Sequence, residues 1–91
     1  MFDAEATDEF LRPLAAARRG EGGVVHAVGG EGDLERRLLE IGFVEGARVQ
    51  VLHEGPFGRD PIAVRVDDTR VALRRREAAA VVIRAERPAP R

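Results

Sequence analysis

From Arg48 to Arg74 the apolar residues of this 91-residue chain keep a period of two. Val49 and Val51 alternate with Arg48 and Gln50. Ile62, Val64 and Val66 alternate with Ala63, Arg65 and Asp67, and Val71 and Leu73 with Arg70, Ala72 and Arg74. Successive side chains of a strand point to opposite faces, so each set predicts a strand with one buried and one solvated side. The segment Gly55-Pro56-Phe57-Gly58-Arg59-Asp60-Pro61 is turn chemistry, in which Pro61 can open a strand but not occupy its middle. Asp67-Asp68 predicts a tight hairpin between the second and third sets.

Upstream the period changes. Leu34, Leu38 and Ile41 fall at i, i+4 and i+7, one face of a short helix. Asp33 is its expected N-cap, Glu35 lies in its first turn, and Gly42 is the expected left-handed residue after its end. Before it, Gly23–Val28 predicts a strand closed by Gly29-Gly30, preceded by a turn-rich connector over 18–23. Residues 10–17 are helix-capable but broken by Pro13. At the other end, Glu77–Ala80 predicts one helical turn and Val81–Ile83 a last strand. One domain over residues 10–86 is expected, with a flexible leader (1–9) and a mobile tail (87–91). About five antiparallel strands with one short helix between strands 1 and 2 predict a mainly β fold, a small SH3-like β-barrel that curls to hide its edges. Pairing of those edges with a second copy is left open.

Composition narrows function. There is no Cys, Ser, Lys or Tyr, so most activated nucleophiles are missing and no catalytic residue is assigned. The glycines flank a strand without forming a phosphate-cradling motif. No apolar stretch approaches the ~18 residues of a membrane span. The first ten residues carry Asp3, Glu5, Asp8 and Glu9 and no basic residue, unlike a secretory signal, so a cytoplasmic protein is expected. The net charge is −1, unevenly spread: residues 70–91 hold seven Arg against Glu77 and Glu86, a net of +5, and residues 1–69 carry −6. A basic end of this kind suits anionic lipid or an acidic partner.

Direct ligands fare poorly. His26, His53, Glu54 and Asp60 are the candidate metal ligands, but no pair shows HxH or HxxxH spacing, so no metal site and no cofactor is expected. Four Phe, no Trp or Tyr, and a pI of about 6.1 lack the basic groove and stacking platforms of a nucleic-acid binder. Two apolar residues leave the core pattern. Leu39 lies off the Leu34/Leu38/Ile41 stripe, and Phe57 occupies a Pro/Gly connector. Either Leu39 covers a barrel end and Phe57 folds back as a plug, or both belong to a partner-docking surface.

Three blocks then resemble one family. Leu38-Leu39-Glu40-Ile41-Gly42-Phe43-Val44-Glu45-Gly46, preceded by Arg37, is similar to RLxxLGxxPG; Pro56-Phe57-Gly58-Arg59-Asp60-Pro61-Ile62 to PxGDP[IL]; and Val71-Ala72-Leu73-Arg74-Arg75-Arg76-Glu77-Ala78 to a strand ending in LRxxEA. In order and spacing they resemble FeoA, the ferrous iron transport protein A family, over about residues 11–85. Glu45 replaces a usual Pro, Arg59 interrupts Gly-Asp-Pro, and Asp68 stands where Gly is common; all three touch turns. The barrel also resembles the C-terminal domain of iron-dependent repressors. The resemblance implies a non-enzymatic cytoplasmic accessory protein of ferrous iron uptake whose partner is the FeoB membrane transporter, a protein with a cytoplasmic GTPase domain. Leu39, Phe57, Arg74, Arg75 and Arg76 are the expected contact residues. Direct Fe²⁺ binding and a nucleic-acid-binding barrel are the alternatives.

Overall fold

The computed structural model describes residues 11–86; the expected leader (1–9) and tail (87–91) lie outside the described residues. Strand β1 (Leu11–Pro13) runs into a 3-10 turn (Leu14–Ala16), followed by β2 (Gly22–Val28) and helix α1 (Gly32–Ile41). Then come β3 (Arg48–Glu54), β4 (Ile62–Val66), β5 (Thr69–Leu73), the single-turn helix α2 (Arg75–Ala78) and β6 (Val81–Ala85). The strands form one antiparallel sheet in the order β1-β6-β2-β3-β4-β5, a mainly β, SH3-like architecture as expected.

Among the described residues the sheet has six strands rather than five. Leu11–Pro13, read from sequence as helix-capable, pairs with β6, with Leu11 opposite Arg84 and Pro13 opposite Val82. Three residues are too few to display a period, and Pro13, which has no N–H to give, is tolerated because β1 lies at a sheet edge. The next residue, Leu14, is fully buried, as is Ala17.

The period of two puts one face of every long strand inside. Val49, Val51, Ile62, Val64, Val66, Leu73, Val81 and Ile83 are all buried, joined by Leu38 and Phe43, and no polar residue is buried among them. Helix α1 contributes Leu38, with Leu34 and Ile41 partly buried beside it. Its first residue is earlier than expected: Glu31, in extended conformation, is the N-cap, and its carbonyl accepts the Leu34 N–H at 3.2 Å. Asp33 therefore acts in the first turn with Glu35, where negative charge suits the helix dipole. Gly42 ends the helix as expected, at φ +129°. Its N–H donates to Leu39 O (3.1 Å) while Phe43 N–H donates to Leu38 O (3.0 Å), the Schellman closure that drops Phe43 into the core. Helix α2 begins two residues before the expected Glu77–Ala80 turn, because Glu77 Oε1 accepts the Arg74 N–H (2.9 Å) and so closes the turn from its third position.

Gly22 and Gly23 set the closest backbone approaches. A Cβ at Gly22 would lie 2.0 Å from Val49 O, and one at Gly23 2.1 Å from Arg84 O, so β2 fits between β3 and β6 only without side chains there. We expect Gly23→Ala to destabilise the fold by about 2–3 kcal/mol, an overpacking cost with backbone as the obstacle. That lowers the thermal midpoint by roughly 10 °C or more for a domain of this size. Gly29→Ala, whose nearest neighbour would be Ala80 O at 3.8 Å, serves as the control and should change the midpoint little. Thermal unfolding followed by circular dichroism reads both.

Candidate functional site

The β3–β4 connector is a closed loop. Gly55 N–H donates to Pro61 O (2.7 Å) across its base, and Phe57 is left 80 % exposed. Phe57 is therefore no plug. Arg59 takes a left-handed φ of +64°, a position a side chain occupies at some cost.

That loop is held from α2. Arg75 N–H donates to Asp60 Oδ1 (2.9 Å) and Arg75 Nε to Arg59 O (2.6 Å). Its other nitrogens reach elsewhere: Nη1 donates to Ala15 O (2.6 Å) after β1, and Nη2 to Glu54 Oε2 (3.1 Å) at the end of β3. One half-buried guanidinium thus ties three segments to α2. Glu54 Oε2 also accepts from Arg18 Nε at 3.0 Å. Arg74 lies 3.8 Å from Asp60 Oδ2 with its side chain exposed, and Arg76 is exposed. The Arg74–Arg76 run splits accordingly: Arg75 faces inward as a positioning residue, Arg74 lies beside the loop at Asp60, and Arg76 is exposed on α2.

Leu39 is elsewhere. It is 41 % exposed, ~100° around α1 from the buried Leu38. Arg37, ~100° to the other side, pairs with Glu77 of α2, so Leu39 points away from α2. Gly42, within a turn of Leu39, approaches Val66 Cγ1, at the opposite end of β4 from the Phe57 loop. Val44, just past the helix, is exposed as well. The structure ties the loop that carries Phe57 to Arg74 and Arg75 through Arg59 and Asp60, and places Leu39 apart from it.

Charge reinforces the loop. Partial burial pushes the Glu54 carboxyl up. The Arg18 hydrogen bond and charge, the Arg19 backbone N–H and the Arg75 charge outweigh it and hold the group below its ordinary 4.5. Glu77 is lowered first by the Arg74 backbone N–H and then, against burial, by Arg37. Sequence reasoning had weighed Glu54 and Asp60 as metal ligands; both are partners of arginines instead. Among the described residues no group of three or more His, Cys, Asp or Glu converges, and no helix is long and apolar enough to cross a membrane. His26 is half-buried on β2 and His53 exposed on β3.

Because both folded-state pKa values are depressed, these carboxylates stabilise the fold fully above about pH 4.5, and that stability is lost as pH falls through the lowered values. Glu54→Gln should unfold at a lower temperature than the parent at pH 7, and the gap should narrow as pH falls below 4.5. A gap independent of pH would remove the charge pairing as its cause.

The FeoA domain profile matches residues 12–85. The Fe(2+) transport protein A/Fe(2+) transporter FeoB fusion protein of Porphyromonas gingivalis is 37 % identical over 70 residues, 77 % of this chain, although the chain spans only 8 % of that protein's length. The solved structure of Stenotrophomonas maltophilia FeoA complexed with zinc, described as a prokaryotic SH3 domain protein, superposes with a TM-score of 0.73 at 37 % identity. That likeness covers 85 % of this chain and 98 % of the other. A manganese-dependent transcriptional repressor in complex with manganese superposes with a TM-score of 0.74 at 27 % identity, covering 84 % of this chain but 37 % of the repressor. With one profile running through all three sequence blocks and a solved member matched almost end to end, this chain belongs to the FeoA family of ferrous iron transport.

Proposed function

We propose that this chain is a non-catalytic accessory domain of ferrous iron uptake that docks on the cytoplasmic part of the FeoB transporter and biases its assembly or nucleotide-dependent state. One observation carries the reading: in the Porphyromonas gingivalis relative, the segment that this chain matches is covalently joined to FeoB. Joining two domains in one chain raises their effective concentration without adding a contact, which is useful where the two already work together.

The loop supports the same reading. An aromatic side chain in the open, on a loop fastened at its base and from α2, can enter a partner's pocket with little ordering left to do. Arg74 beside it and the exposed Arg76 of α2 favour an acidic rim on that partner and speed the encounter. Arg75 serves docking indirectly, by holding the loop. Leu39 is a second apolar contact on a different side of the domain.

The test is co-purification with detergent-solubilised FeoB of the same cell, with and without GTP. The parent should be captured, and Phe57→Ala, which removes an exposed side chain, should keep its thermal midpoint while binding about 30-fold more weakly or worse, as for an interface anchor. Leu39→Asp reports separately on the second contact. Failure of the folded parent to bind FeoB overturns the proposal.

A second reading has one observation behind it, the zinc in the Stenotrophomonas maltophilia structure. Under it, this chain binds a divalent cation directly through His26 or His53. Stoichiometric Fe²⁺ binding that disappears in His26→Ala or His53→Ala supports that reading, and its absence removes it.

A further inference from the structure

The two edges of the sheet are unequal. β1 is three residues long and ends in Pro13, which has no N–H to give a further strand. β5 is five residues long, pairs with β4 in an uninterrupted register and contains no Pro. Among the described residues no strand pairs with its other side.

The backbone groups on that side follow from the ladder. Asp67 N–H donates to Arg48 O (2.7 Å), toward β3. Alternate residues of a strand turn their N–H and C=O the same way, so Arg65 also bonds toward β3, and Val64 and Val66 bond toward β5. Val71 and Thr69, opposite these two, take the bonds of the β4–β5 ladder. Arg70 and Ala72 therefore turn their N–H and C=O outward, and both residues are exposed. Among the described residues these outward groups have no hydrogen-bond partner.

The side chains select what can add there. Arg65 and Arg70 stand directly opposite each other in a pair without ladder bonds, the closer of the two antiparallel spacings, and both are exposed. Like charges so placed repel. Neither arginine forms an ion pair among the described residues. On the other face Val71 is half-buried against the core. A strand that fits this edge carries an acid on the face of Arg70 and an apolar residue beside Val71. A second copy of β5 does not fit, because it sets two arginine pairs side by side.

We infer that the open edge of β5 takes an extended acidic segment of a partner protein as an added strand, bonded to the backbone of Arg70 and Ala72 with its acids against Arg65 and Arg70. Backbone bonds hold such a strand in register, and the arginine pair sets its charge preference. This goes beyond FeoB docking through Phe57 and does not rest on it.

The probe is the capped peptide Thr-Glu-Val-Glu-Val-Glu-Thr, titrated into isotope-labelled full-length protein and followed by nuclear magnetic resonance. The Arg70, Val71 and Ala72 amide signals should shift, and deuterium exchange at Arg70 and Ala72 should slow, with β2 and β6 signals unmoved. Affinity should fall about tenfold or more in Arg65→Gln/Arg70→Gln and in about 0.5 M salt, where exposed pairs are screened. The same peptide with Lys for Glu should not bind. Ala72→Pro removes an N–H that the β4 ladder does not use, so the fold should stand and the added strand should be lost. Circular dichroism checks that fold; if it fails, the arginine variant and the exchange data still decide. Capture of FeoB is a separate readout, so either result can fail alone. Shifts spread over the whole domain, or unchanged binding by folded Ala72→Pro, overturn the inference. Slow exchange at Arg70 and Ala72 in the free protein overturns it too, because the edge is then already covered by its own chain or a second copy. So do larger shifts of the same signals with a single-stranded oligonucleotide, which assign the arginines to phosphates.

Discussion

β2 is the strand on which the rest of the sheet depends. It joins β1 and β6 on one side to β3, β4 and β5 on the other, and among the described residues no other strand pairing connects the two groups. Its two glycines let backbones approach from both sides, and the hydrogen bonds around it continue past the ladders. Gly20 N–H donates to Val51 O and Val51 N–H to Glu21 O; Gly46 N–H donates to Val25 O and Val25 N–H to Ala47 O. The connector after α1 is thereby sewn to the middle of β2, and the position of the helix follows from the strand. A side chain at the glycines would therefore disturb both halves of the core at once.

A second constraint acts locally. Arg75 donates from one guanidinium to the backbone carbonyls of Ala15 and Arg59, joining segments far apart in sequence. Planar, forked and always charged, guanidinium can reach several acceptors in different directions, where a lysine offers a single point charge. The Glu54 carboxylate makes the burial of that charge tolerable, and Arg18 keeps the carboxylate from depending on one partner. This division of labour explains how a loop can expose a phenyl ring and still be fixed. The energy that positions Phe57 comes from groups beneath it, so its ring is free for another use.

Much of this was legible in the sequence, for specific reasons. The alternation at Val49–Val51, Ile62–Val66 and Val71–Leu73 is a direct print of one buried face, and the i, i+4, i+7 stripe of α1 is the helical equivalent. Phe57 was conspicuous because a large apolar residue stood among turn formers, and Leu39 because it lay off its stripe. β1 was invisible because three residues carry no period and residues 10–17 read instead as a helix-capable stretch broken at Pro13. The role of Arg75 was invisible for another reason: its acceptors lie 15 to 60 residues away in sequence, so only the fold could separate it from Arg74 and Arg76. The same applies to the separation of Leu39 from Phe57, which depends on which end of β4 each element meets.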